Sequence, residues 1–122
     1  MAGEERRIFE RVSVYIPAQV FDFSGETFLD NGMVVDVSIG GIKMQTKNEY
    51  KIGDKILVKF VLEKKESSTT IGMSTKGEVE IMYKIAQGSN NFVGLKFVNM
   101  NYFDKEHVRD FIEYKIAENQ KR

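Results

Sequence analysis

The side chains best suited to chemistry lie between positions 36 and 41, where a β-branched apolar run gives way to Asp36, Ser38, Gly40 and Gly41. The Asp36 carboxylate can accept two N–H bonds side by side, and the Ser38 hydroxyl can donate or accept. Gly41 has no side chain, so a flat group can come close to the backbone. The same composition is typical of a hairpin turn in which the glycines supply positive φ. This stretch alone is therefore compatible with a ligand site and with a plain turn.

A second polar stretch, before the first apolar run, carries arginines at positions 6, 7 and 11. Arg7 and Arg11 form R-x-x-x-R, and residues 36–41 form D-x-S-x-x-G. This pair resembles the signature of the PilZ domain, the bacterial receptor module for cyclic di-GMP. The resemblance continues through Gly53-Asp54, Gly77-Glu78-Val79 and Val93-Gly94-Leu95-Lys96-Phe97-Val98. It covers nearly the whole chain.

The resemblance implies that cyclic di-GMP is bound by Arg7, Arg11, Asp36, Ser38 and Gly41. The chemistry of these residues suits a guanine nucleotide, because an arginine can fork onto guanine O6 and N7, stack on the purine or clamp a phosphate. The carboxylate can accept from guanine N1 and N2.

Two more residues belong to this prediction. In PilZ domains, an arginine just before the motif is associated with binding of two stacked cyclic di-GMP molecules instead of one. Arg6 occupies this position here. Gly40 lies outside the motif and is included only for turn geometry. No cofactor other than this ligand is implied.

Composition bounds the possible functions. The 122 residues fit one domain, with 18 Lys plus Arg balanced by 18 Asp plus Glu, so no overall positive field would hold a long nucleic acid. There is no cysteine and one histidine, and no nucleophile–base pair or P-loop occurs, which argues against catalysis and metal binding. No apolar run is long enough to span a membrane, so we expect a cytoplasmic protein without membrane insertion.

Periodicity predicts a mainly β protein, a six-stranded antiparallel barrel of the PilZ type closed by a C-terminal helix. We expect an N-terminal arm over residues 1–11, a barrel domain over 12–122 with its first strand at 12–22, and a helix at about 102–118 that Asn101 caps. Asp30-Asn31-Gly32 is the strongest hairpin signal, and polar residues 63–74 indicate a solvated loop. In the fifth strand, Tyr83 is expected on the same face as Val79 and Ile81.

These observations favour a bacterial receptor or adaptor that binds cyclic di-GMP, closes its arm over the ligand and thereby regulates an unidentified protein partner. Two alternatives stay open. The domain could be a protein-interaction adaptor that needs no ligand, or a small barrel that stacks single-stranded nucleic acid on exposed aromatic side chains, against which the neutral net charge argues.

Overall fold

The computed structural model describes residues 10–120, and within them six antiparallel strands and one helix form the fold. The strands pair in the order β1-β2-β3-β6-β5-β4, and pairing of β1 with β4 closes the sheet into a barrel. The predicted mainly β fold with a C-terminal helix is confirmed. The elements are β1 (Val12–Asp22), β2 (Phe28–Ser38), β3 (Gly41–Thr46), β4 (Lys55–Glu66), β5 (Thr69–Gln87), β6 (Asn90–Asn99) and α1 (Tyr102–Gln120).

The barrel interior is apolar because alternate residues of each strand point inward. Val20, Val58 and Ile81 are fully buried examples from β1, β4 and β5. Helix α1 adds its own apolar stripe to the same core, with Val108, Phe111, Ile112 and Ile116 at spacings of three and four. Burying each such side chain contributes about 1.5–3 kcal/mol. The helix therefore closes one end of the barrel as part of the core.

The helix begins where the sequence predicts. The Asp104 backbone N–H donates to Asn101 Oδ1 at 2.8 Å, which makes Asn101 the N-cap. Within the described residues, no helix is long and apolar enough to cross a membrane.

The proline of β1 lies where that strand has one neighbour. Pro17 pairs with Met33 of β2, whereas pairing of β1 with β4 begins only at Ala18. Proline lacks a backbone N–H and fits a strand position with an open edge. Pro17 therefore lies outside the pairing of β1 with β4.

The hairpin predicted at Asp30-Asn31-Gly32 is wrong, because these residues lie inside β2. The chain turns instead between β1 and β2, where Gly25 has φ +82°. Asp30 is held in the strand by Thr46 Oγ1, which donates to its carboxylate at 2.6 Å. A Cβ on Gly32 would lie 2.6 Å from Met44 Sδ, so the glycine leaves space for the Met44 side chain in the core.

The true β1–β2 turn is organised by Asp22. Its carboxylate accepts from Ser24 Oγ at 2.7 Å and from the Glu26 and Thr27 backbone N–H groups at 3.1 and 3.3 Å. The Ser24 hydroxyl, followed by the Thr27 backbone, lowers the pKa of Asp22 below its ordinary value. These hydrogen bonds to Asp22 hold the turn between β1 and β2.

The solvated loop predicted over residues 63–74 is also wrong. β4 and β5 remain paired out to Glu66 and Thr69, so the segment is a two-stranded ribbon with a tight turn at its end. Lys64 Nζ donates to Asp110 Oδ2 of α1 at 2.6 Å, and the Thr75 hydroxyl lies 3.3 Å from His107 Nδ1. The ribbon is polar because only the face toward the helix is covered.

The ribbon turn generates a prediction. Ser67 has φ +56°, a left-handed conformation that costs a residue with a side chain about 1–2 kcal/mol. Ser67→Gly should therefore raise the free energy of unfolding by about 0.5–1 kcal/mol, as measured by urea denaturation. Ser68→Gly is the matched control and should lower it, because Ser68 has no positive φ. Equal effects of the two substitutions would contradict this turn.

Candidate functional site

Asp36 faces outward because β2 contains one extra residue. Val34 pairs with Met44 while Asp36 pairs with Lys43, so Val35 has no opposite residue in β3. Val34 and Val37 are both buried although they are three positions apart, which the bulge allows. The bulge thus leaves the Asp36 carboxylate on the outer face, where its side chain is 20% exposed.

Arg11 brings the first motif onto the second. It directly precedes β1, whose Ser13 pairs with Asp36, and Arg11 Nη1 donates to Asp36 Oδ1 at 3.0 Å. The arginine side chain is 57% exposed, so the contact is an accessible ion pair that contributes about 0–1 kcal/mol. A ligand can therefore replace this contact at small cost.

Ser38 and Gly41 form the base of a two-residue hairpin between β2 and β3 and pair with each other. Ser38 Oγ donates to the Gly41 carbonyl at 3.1 Å, and both residues are buried. A Cβ on Gly41 would lie 2.0 Å from the Leu95 carbonyl oxygen, so the glycine permits close approach of β6. In this structure the two residues shape the turn beside Asp36.

The expectation that Gly40 and Gly41 supply positive φ is wrong. Among the described glycines, positive φ occurs at Gly25, Gly53 and Gly88. Gly40 does lie in the turn, and its carbonyl accepts from the Phe97 backbone N–H at 3.0 Å. A Cβ on Gly40 would meet no atom within 4 Å.

Further side chains, which neither motif of the sequence indicates, continue the candidate site across the sheet. A cross-strand row leads from Asp36 to Lys43, then to Gly94 and finally to Tyr83. A register shift between Ile81 and Tyr83 turns Tyr83 outward, so the prediction that it shares a face with Ile81 is wrong. That shift depends on the pairing of β5 with β6, which apolar alternation alone does not reveal.

The outer surface of this row offers a cation and aromatic rings. The Tyr83 ring covers Gly94, where a Cβ would lie 2.0 Å from the ring. Lys43 Nζ lies 5.3 Å from the centre of the Phe92 ring. Beside the Arg11–Asp36 pair, the surface thus has groups that can bind phosphate and stack on a base.

The predicted site residues are therefore only partly brought together. Arg11, Asp36, Ser38, Gly40 and Gly41 lie on or beside the β2–β3 hairpin. Arg6 and Arg7, and with them most of the arm predicted over residues 1–11, lie outside the residues that the structure describes.

The model of the PilZ domain family matches residues 5–114 of the chain. No curated protein matches the sequence.

Solved structures share the fold at low sequence identity. The inhibitor of motility MotI/DgrA from Bacillus subtilis is 13% identical with a TM-score of 0.76, and the match covers 93% of this chain and 52% of that one. The chain thus spans about half the length of that relative. The PilZ domain of Escherichia coli YcgR, solved with c-di-GMP, is 13% identical over 95% of this chain and 96% of that one, with a TM-score of 0.59. The PilZ domain of CeSA from a cellulose-synthesizing bacterium is 14% identical over 90% and 98%, with a TM-score of 0.55.

The two glycines of the hairpin provide a matched test of its geometry. Gly41→Ala should lower the free energy of unfolding by about 1–3 kcal/mol or more, because its Cβ would overlap the Leu95 carbonyl and the backbone must shift. Gly40→Ala should be neutral or stabilise by up to about 1 kcal/mol, since its surroundings are open. Urea denaturation measures both. A larger loss at Gly40 than at Gly41 would contradict the described turn.

Proposed function

The chain belongs to the PilZ domain family, and we propose that it binds cyclic di-GMP on the outer face of the barrel around Arg11 and Asp36 and passes this signal to a protein partner. The observation that carries the proposal is the 3.0 Å contact between Arg11 Nη1 and Asp36 Oδ1. It joins the two halves of the motif at one place on the surface. Both groups are accessible, and neither is needed to hold the core.

The two charged groups complement a guanine nucleotide. Asp36 can accept from guanine N1 and N2, which are the donors of its Watson–Crick edge. Arg11 can leave Asp36 and bind guanine O6 and N7 or a phosphate in a forked geometry. Binding thus exchanges a weak exposed ion pair for bonds to a desolvated ligand, and the change at Arg11 moves the chain just before β1.

The remaining motif residues and the neighbouring strands complete the proposed site. Ser38 and Gly41 keep the hairpin close to β6, so the ligand meets a fixed edge beside Asp36. Lys43 is placed to bind a phosphate, and the Tyr83 ring gives a flat apolar surface to a base. We assign to Arg7 a second contact with the ligand. We assign to Arg6 the binding of the second of two stacked cyclic di-GMP molecules. The protein acts here by binding and carries out no chemical step on the ligand.

Calorimetric titration tests the proposal. Cyclic di-GMP should bind in the micromolar range or tighter, and Arg11→Ala or Asp36→Ala should each weaken binding by about 1–3 kcal/mol through loss of guanine or phosphate contacts. Arg109→Ala is the matched control, because Arg109 is a half-exposed arginine on α1 whose loss should leave the affinity unchanged. GTP, cyclic GMP and single-stranded oligonucleotides should bind poorly. Absence of heat with cyclic di-GMP would favour an adaptor that needs no ligand.

The same titration gives the stoichiometry. We expect two molecules of cyclic di-GMP per chain, and Arg6→Ala should reduce the ratio toward one while circular dichroism shows an unchanged fold. A one-to-one isotherm for the unmutated protein at saturating ligand would remove the role assigned to Arg6.

A further inference from the structure

A second polar surface crosses β5, β4, β1 and β2 on the outer face of the barrel, away from the β2–β3 hairpin. Opposite residues on the outer face run from Lys76 to Lys59, then to Gln19 and Asn31, and Lys47 directly follows β3. We call these five exposed residues the lysine row. They line a cleft of about 1370 Å³. Asp36 and Asn31 are five residues apart in β2, so the row lies roughly 15 Å from the site around Asp36.

The lysines of the lysine row form no ion pair with a described carboxylate, although Glu63 and Asp104 also line the cleft. Lys59 and Lys76 face each other on neighbouring strands, an arrangement of like charges that destabilises a sheet. Lys59 Nζ lies 4.6 Å from the centre of the Phe21 ring. An anion that entered the cleft would relieve this repulsion.

The other groups of the cleft suit a polypeptide. The Gln19 and Asn31 side chains can each donate to and accept from a peptide backbone. Pro17, Val61 and Tyr15 add exposed apolar surface along the same cleft. A polypeptide with alternating acidic and apolar side chains would contact the lysines, the amide side chains and the apolar surface of the cleft.

A nucleic acid fits the cleft less well. Strands of bases are held by several stacking rings in a basic groove. Among the described residues that line this cleft, Tyr15 is the one exposed aromatic side chain, so a strand of bases would find a single stacking ring. We propose that the cleft along the lysine row is a docking surface for an acidic segment of a partner protein, separate from the site around Asp36.

Fluorescence anisotropy tests this surface with a labelled peptide of Glu-Leu-Glu-Gly repeats. The unmutated protein should bind the peptide, and the double variant Lys59→Gln and Lys76→Gln should bind it about tenfold more weakly. Glutamine keeps the length and polarity of the side chain, so the fold is retained, as circular dichroism can check. The matched control Lys51→Gln and Lys65→Gln removes the same charge from exposed lysines outside the cleft and should bind within about twofold of the unmutated protein.

A charge exchange separates docking from general attraction of anions. The double variant Lys59→Glu and Lys76→Glu should lose the acidic peptide and gain binding of a Lys-Leu-Lys-Gly repeat peptide. The proposal is overturned if the unmutated protein does not bind the acidic peptide, if both Gln variants bind it equally, or if oligothymidine binds more tightly and loses affinity with the Lys59 and Lys76 substitutions. The last result would make the surface a nucleic-acid site.

Discussion

The bulge at Val35 is the constraint on which the candidate site depends. In a regular strand successive side chains alternate between faces, so Val34 and Asp36 would point the same way, into the core. One extra residue in β2 lets Val34 and Val37 both stay buried while Asp36 faces outward. The buried Val34 and Val37 on either side of Asp36 thus fix the position of its carboxylate, and none of the described residues of the candidate site has a positive φ.

The strength of the contacts divides the site into a fixed part and an exchangeable part. Gly41 packs against the Leu95 backbone, and Ser38 donates to the Gly41 carbonyl inside the protein, so the hairpin is built into the barrel. The Arg11–Asp36 contact is exposed and weak. A ligand that binds both groups therefore changes the position of the arginine without unfolding the edge on which it rests. The lysine row crosses β5, β4, β1 and β2 beyond the bulge, so the proposed docking of a partner there would leave the β2–β3 hairpin accessible.

The sequence was sufficient for the class of fold and for most of the strand and helix periodicities, because these follow from the alternation of apolar and polar side chains. It failed where long-range pairing overrides local preference. Asp30-Asn31-Gly32 has the composition of a turn, yet Thr46 and Met44 of β3 make it strand. Tyr83 follows the alternation of Val79 and Ile81, yet a shift against β6 turns it outward. The polar residues after Leu62 continue the pairing of β4 with β5, and Lys64 contacts Asp110 of α1, which lies far away in the sequence.

Nuclear magnetic resonance with assigned amide signals can locate cyclic di-GMP on the barrel. If the ligand binds on the outer face around Asp36, titration should shift the amide signals of Arg11, Asp36, Gly41, Lys43 and Tyr83, while those of Gln19, Asn31 and Lys59 stay in place. Unchanged spectra at saturating ligand, or the largest shifts along the lysine row, would contradict it.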